Sequence, residues 1–181
     1  TYSTNEKKIY VMAHFNHPRE LTPEAIEGLN LLMESGVTLV NQTPLVKGVN
    51  DDPEVLAELF SKLSYIGVPP YYVFLCRPTL GNETYSVPVE EGYEIFEKSR
   101  TLCSGLAKRA RLVMSHESGK IEVLGMSEDQ IFFKYLRAAD KNNDARFLSF
   151  FRNPEACWFD DYQEVSDEFS LFSQTAKTRC V

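Results

Sequence analysis

The chain has 181 residues, 43% hydrophobic and 25% charged, an ordinary composition for a globular domain with a real core. Nineteen basic against 26 acidic residues give a net charge of −7, which argues against nucleic acid as the main partner, because phosphate binding needs a basic face. No window approaches the roughly 20 apolar residues of a membrane helix, and the N-terminal TYSTNEKK is polar rather than a signal sequence.

Three apolar runs open the chain. KKIYVMA leads into His14, Asn16 and His17, VTLV (37–40) into Asn41 and Gln42, and PYYVFLC (70–76) into Arg77. Each is short and rich in Val, Ile, Tyr and Phe, and so reads as a buried strand. A helix signal follows each one. Thr22-Pro23-Glu24 sets a cap, a first-turn Pro and an acid before the stripe Ile26, Leu29, Leu32 and Met33, and Gly36 ends it. Asp52-Pro53-Glu54 repeats the device before Val55, Leu56, Leu59, Phe60 and Leu63, with Gly67 as the stop. Ser86, Val87 and Pro88 open a third helix with Val89, Tyr93 and Phe96 inward.

Helix follows strand three times, which predicts parallel strands with right-handed crossovers. The carboxyl ends of such strands share one mouth, so His14, Asn16, Gln42 and Arg77 are expected to meet there. Three units do not close a barrel, so residues 1–105 are expected to form an arc of one.

After Ser104-Gly105 the texture changes. RARLVMS (109–115), KIEVLG (120–125), QIFFKYLRA (130–138), ARFLSFFRN (145–153) and ACWFDDYQ (156–163) read as strands of an antiparallel sheet. Residues 106–163 are therefore expected to be a small β-rich region, with 164–181 a polar tail. Cys76, Cys103, Cys157 and Cys180 are scattered and form no CxxC, which points to reduced thiols in a cytoplasmic protein and to no metal site. Cys76 is expected in the core.

Four segments in order carry a resemblance: HFNHP at 14–18, the run from Asn41-Gln42 through Leu45 to Gly48-Val49-Asn50-Asp51, PYY at 70–72 with Leu80-Gly81 beyond it, and Gly119-Lys120 with Val123. Over roughly residues 8–125 the chain resembles the second half of lysine 2,3-aminomutase-type enzymes, which use S-adenosylmethionine as a radical source together with pyridoxal phosphate. The resemblance implies the C-terminal arc of a (β/α) barrel. It implies Lys120 as the lysine that carries pyridoxal phosphate, and His14 and Gln42 as contacts to S-adenosylmethionine. The four-iron–four-sulfur cluster of these enzymes sits on a tight Cys triad that nothing here matches, so the isolated chain is expected to be inactive.

At the Arg77 position lysine-acting members carry an Asp that pairs with the distal ammonium of lysine. A second acid is expected near Val113-Met114-Ser115 and is also missing. Arg77 suits a carboxylate instead, which implies an amino acid substrate other than lysine, with an acidic one the natural fit. The reaction implied is migration of an amino group from C2 to C3.

The bland readings are that Lys120 is a solvent-facing hairpin lysine, that His14 is a buried histidine satisfied by backbone, and that Arg77 turns to Glu83. Asn16, His17 and Asn41 are expected to brace loops, and His116 and Glu117 to face solvent. A reading of another class makes the chain a non-catalytic assembly or small-anion-binding domain. An open arc leaves the strand at 8–14 as an unpaired edge, so a homo-oligomer is expected.

Overall fold

The computed structural model describes residues 3–165. In chain order the elements are β1 (Tyr10–Ala13), α1 (Pro23–Glu34), β2 (Thr38–Leu45), α2 (Pro53–Tyr65), β3 (Pro70–Leu75) and α3 (Val89–Thr101). Then come β4 (Arg111–His116), β5 (Gly119–Met126), β6 (Gln130–Ala138) and β7 (Phe147–Phe151). All seven strands lie in one sheet in sequence order. β1 to β4 are parallel, and β4 to β7 are antiparallel.

α1 and α2 begin where their caps place them, while α3 starts after Pro88 with no side-chain cap. Thr22 Oγ1 accepts the Ala25 N–H at 3.2 Å, and Asp52 Oδ1 accepts those of Glu54 and Val55 at 2.7 and 3.3 Å. Pro23 and Pro53 occupy first helical positions, where no N–H is needed. Gly36 and Gly67, each at φ +86°, take the left-handed turn that ends α1 and α2.

All three helices settle on the same side of the sheet. The main core joins Leu45, Val73, Leu75, Leu112, Met114, Ile121 and Val123 of the strands to Leu56 and Phe60 of α2 and to Ile95 and Phe96 of α3. A second cluster joins Leu29 of α1 and Leu39 of β2 to Leu59 and Leu63 of α2. The alternate residues Val40 and Gln42, Tyr72 and Phe74, and Lys120 and Glu122 point to the other side and are only half-buried.

Two expectations change. The strand at Arg111–His116 does not begin a separate antiparallel sheet. Tyr72 pairs with Arg111 and Phe74 with Val113 in parallel register, so β4 joins the two halves of one sheet. Residues 156–163 are not a strand. Asp161 Oδ2 accepts the backbone N–H groups of Cys157 and Trp158 at 3.0 and 2.8 Å, which takes those donors from any ladder. The segment becomes a coil with a 3-10 turn at Phe159–Asp161. It packs its rings on the sheet: Phe159 lies 5.4 Å from Phe133 and 5.1 Å from Phe150, edge to face. The expected tail lies, beyond residue 165, outside the described residues, as does Cys180. Among the described residues no helix is long and apolar enough to cross a membrane.

A buried carboxylate ties this coil to α3. Glu90, 3% exposed, accepts Arg152 Nε and Nη2, each at 2.9 Å, and the Asn153 N–H at 2.8 Å. Glu90→Ala leaves a guanidinium and an N–H unpaired and should cost about 3 kcal/mol, the low end for a broken buried pair because Arg152 is partly solvated. Urea unfolding checks the value, and Glu90→Gln, which keeps an acceptor for Asn153, should lose less.

Candidate functional site

The uncovered side of the sheet carries the groups that chemistry needs. Lys120 is half-buried, the second residue of β5 and paired with Ser115 of β4. Its side chain reaches back across β4 to β3. Nζ stands 4.2 Å from the centroid of the Tyr72 ring and 5.2 Å from that of Phe74. The reading of a hairpin lysine free in solvent is therefore wrong: the ammonium lies over two ring faces. Burial first, and the neighbouring Tyr71 second, push the Tyr72 hydroxyl up to about 12.

Two irregularities in the ladder coincide with candidate residues. Asn41 pairs with Pro70 but Gln42 with Tyr72, so Tyr71 is an extra residue opposite Gln42. Lys120 pairs with Arg137 but Ile121 with Tyr135, so Leu136 is an extra residue beside Lys120. Bulges of this kind re-aim side chains locally. Gly119, before Lys120, has φ +143°, and a Cβ there would collide with the Arg137 carbonyl of β6. The glycine is thus required by close backbone approach.

Arg77 is exposed two residues beyond β3. It does not turn to Glu83, whose Oε2 instead accepts the Gly81 N–H at 3.1 Å. It borders a cavity of about 350 Å³ with Pro44, Phe74, Cys76, Ser115 and Trp158. Phe74 therefore belongs both to the ring platform under Lys120 and to the Arg77 cavity. Cys76 is not core: it is half-buried on this cavity, its thiol donates to the Leu45 carbonyl at 3.1 Å, and burial raises its pKa.

Gln42 shares the uncovered face, half-buried beside Tyr72. His14, one residue past β1, is exposed rather than buried against backbone. β2, β3 and β4 separate its strand from that of Lys120. The structure thus brings Lys120, Arg77 and Gln42 onto the β2–β5 part of the face, with His14 at its β1 margin.

Asn41 and His17 brace loops with their side chains as expected, whereas Asn16 is held by its backbone and its buried Oδ1 has no partner among the described residues. Asn41, fully buried, accepts the Phe15 N–H at 2.8 Å and donates to the Phe15 carbonyl at 3.1 Å. His17 Nδ1 accepts the Arg19 N–H at 3.1 Å. Asn50 Nδ2 donates to the Asn16 carbonyl at 2.9 Å.

His116 departs from expectation. Its side chain is 7% exposed, and a chain of polar groups runs through it. Asp160 Oδ2 lies 3.0 Å from Nε2, Ser118 Oγ lies 2.7 Å from Nδ1, and Tyr135 Oη lies 2.8 Å from Ser118 Oγ. The Ser118 backbone N–H also donates to Nδ1 at 3.1 Å. A backbone N–H can only donate, so Nδ1 accepts and Nε2 carries the proton given to Asp160. The serine two residues after a histidine was the only local signal for this network; Asp160 is 44 residues away. Glu117 does face solvent.

No family model matches the chain. Curated relatives do. A protein named putative L-lysine 2,3-aminomutase from Aquifex aeolicus is 58% identical over 163 residues, 90% of this chain and 44% of that protein. The chain is lysine 2,3-aminomutase-like. The L-lysine 2,3-aminomutase of Clostridium subterminale is 44% identical over 97 residues, 54% of the chain and 23% of the enzyme. The glutamate 2,3-aminomutase of Clostridioides difficile is 37% identical over 111 residues, 61% of the chain and 26% of the enzyme. This aminomutase-like chain spans less than half the length of these relatives.

Gly119→Ala should destabilise the chain by about 1–3 kcal/mol, because the residue is held at positive φ against a carbonyl that β6 cannot withdraw. Equilibrium urea unfolding of the variant beside the wild type measures this.

Proposed function

We propose that the chain is the C-terminal half of a radical S-adenosylmethionine, pyridoxal phosphate-dependent amino acid 2,3-aminomutase, acting on an amino acid other than lysine and best suited to an acidic one. The observation that carries the reading is the single patch formed by Lys120, the Tyr72 and Phe74 rings and the Arg77 cavity. The (β/α) barrel arc belongs to the same reading, supported by parallel β1 to β4 with their helices on one side.

The residues fit pyridoxal phosphate: a primary amine lies over aromatic faces on which a pyridine ring can stack, beside a cavity. Lys120 would hold it. Gln42 and His14 would hold S-adenosylmethionine with amide and imidazole groups, although β2 runs on to Leu45, so that Gln42 sits within its strand rather than at the expected strand end and only His14 lies past one. When bound, these groups supply electron delocalisation at the amino nitrogen and a carbon radical that removes hydrogen from the substrate. Arg77 contributes a planar fork of donors that takes a distal carboxylate in two parallel bonds and fixes the length axis of the substrate. Tyr72 and Phe74 keep water from the space beneath the lysine.

The residues do not fit an iron–sulfur cluster. Among the described residues no group of three or more His, Cys, Asp or Glu could hold a metal ion. In this reading the cluster belongs to the part of the parent outside this chain, and the isolated chain is inactive. The free thiols of Cys76, Cys103 and Cys157 suit a reducing cytoplasm.

In the full-length parent, borohydride should trap pyridoxal phosphate on Lys120, and Lys120→Ala should abolish both the adduct and its absorbance. An adduct that survives the substitution would assign the cofactor to another lysine.

Substrate competition in the same protein should favour glutamate over lysine, because the Arg77 guanidinium attracts a distal carboxylate and repels a distal ammonium. Arg77→Asp should reverse the preference; equal turnover of both amino acids would remove the basis for an acidic substrate.

A further inference from the structure

The Arg77 cavity has a wall that comes from far along the chain. We propose that Trp158 sets the length of ligand this cavity accepts, and that the His116–Asp160 hydrogen bond is the latch that holds the indole in place. The inference rests on the reading of Arg77 as the group that receives a distal carboxylate.

Trp158 is 8% exposed and borders the cavity with Phe74, Arg77 and Ser115. It lies in the coil after β7, and a coil needs fixing to serve as a wall. The coil is fixed on two sides. Toward α3, the Val89 N–H donates to the Ala156 carbonyl at 2.8 Å, and Glu90 grips Arg152 and Asn153. Toward the β4–β5 hairpin, Asp160 accepts from His116 Nε2 at 3.0 Å.

His116 is itself immobilised, with Nδ1 occupied by Ser118 and its ring 5.3 Å from Phe159 and 6.2 Å from Trp158. The hairpin that His116 opens also carries Ser115 and Lys120, paired across it. One hydrogen bond therefore couples the wall of the cavity to the hairpin that bears the amine. The indole cannot back away from a longer ligand without breaking that bond or the paired N–H contacts at Asp161.

The cavity supplies one cation, Arg77, and otherwise mostly apolar walls. That combination selects an amino acid with a short side chain ending in a carboxylate. A fixed indole at the end rejects one more methylene, and a single methylene against a rigid wall is worth roughly 10- to 200-fold.

Trp158 is the single tryptophan of the chain, so its fluorescence reports the cavity without a label. Titration of the chain with L-glutamate should shift or quench the emission. L-2-aminoadipate, one methylene longer, should bind roughly tenfold or more weakly, and L-lysine should leave the signal unmoved. By calorimetry, Trp158→Ala should bring aminoadipate to within a few-fold of glutamate.

Asp160→Ala should red-shift the emission of the unliganded chain and erase the discrimination. Asp160→Asn, whose carbonyl oxygen still accepts from Nε2, should restore both. Unfolding curves of the two variants separate a loosened wall from a failure to fold. If calorimetry detects glutamate binding that Arg77→Asp abolishes while the emission stays unchanged, the cavity works without Trp158 and the proposal is overturned. If neither method detects glutamate, the Arg77 reading fails and the wall falls with it; trapping at Lys120 stands or falls separately.

Discussion

Side chains alternate across a pleated strand, so once α1, α2 and α3 settle on one side of the sheet, every second residue of β2, β3 and β5 is committed to the other. Leu39, Asn41, Thr43 and Leu45 go under the helices, and Val40, Gln42 and Pro44 do not. The same division sends Val73 and Leu75 inward and leaves Tyr72 and Phe74 outward. Slipping β2 by one residue would bury Gln42 and expose Leu39 and Leu45, and slipping β5 would bury Lys120 and expose Ile121 and Val123. The apolar cost of that slip holds the polar face in register, at about 25 cal/mol for each Å² of apolar surface uncovered. The site is a by-product of core packing as much as of its own contacts.

Packing alone does not explain how a lysine on β5 reaches rings on β3. The hairpin between β4 and β5 turns in two residues, and its second strand begins with a glycine pressed against the Arg137 carbonyl. The extra residue Leu136 in β6 bends the ladder beside Lys120, as Tyr71 does beside Gln42. A tight turn, a close backbone approach and a bulge all meet where the Lys120 side chain leans across β4.

Most of the scaffold was legible in the sequence because its signals are local. A hydroxyl or carboxylate before Pro and Glu marks a helix start within four residues, and a glycine at positive φ marks its end. The strand runs were legible for the same reason, down to the antiparallel half, although the parallel pairing of β4 with β3 was not. Nothing in a strand's own composition says which neighbour it will have. The coil at 156–163 was misread because its Trp, Phe and Tyr imitate a strand, while Asp161 diverts its backbone donors. His116 was misread because its partner, Asp160, comes from that same coil. Both errors have one cause, a side chain that competes with the ladder for backbone N–H groups. Arg77 was flagged by its place after a strand, but its substrate role and the whole of the Lys120 assignment entered through resemblance, since a GK turn and a lone Arg carry little signal of their own.

The manner in which Lys120 is held bears on what it can do. A lysine paired with a buried carboxylate is fixed by several kcal/mol. Among the described residues Lys120 has no such partner on its face: Glu122, two residues on, lies 3.9 Å from Arg111. Its ammonium rests instead on the faces of Tyr72 and Phe74, a contact worth about 0.5–2 kcal/mol. The cost of lifting the amine off the rings is therefore comparable to a few RT, and lifting it uncovers two aromatic faces next to the Arg77 cavity. In the proposed reading, an amine that is pre-positioned yet cheap to move, above surfaces that can take its place against a flat ring, suits covalent attachment of an aromatic aldehyde. A carboxylate in place of either ring would hold the lysine more tightly and make it costlier to move.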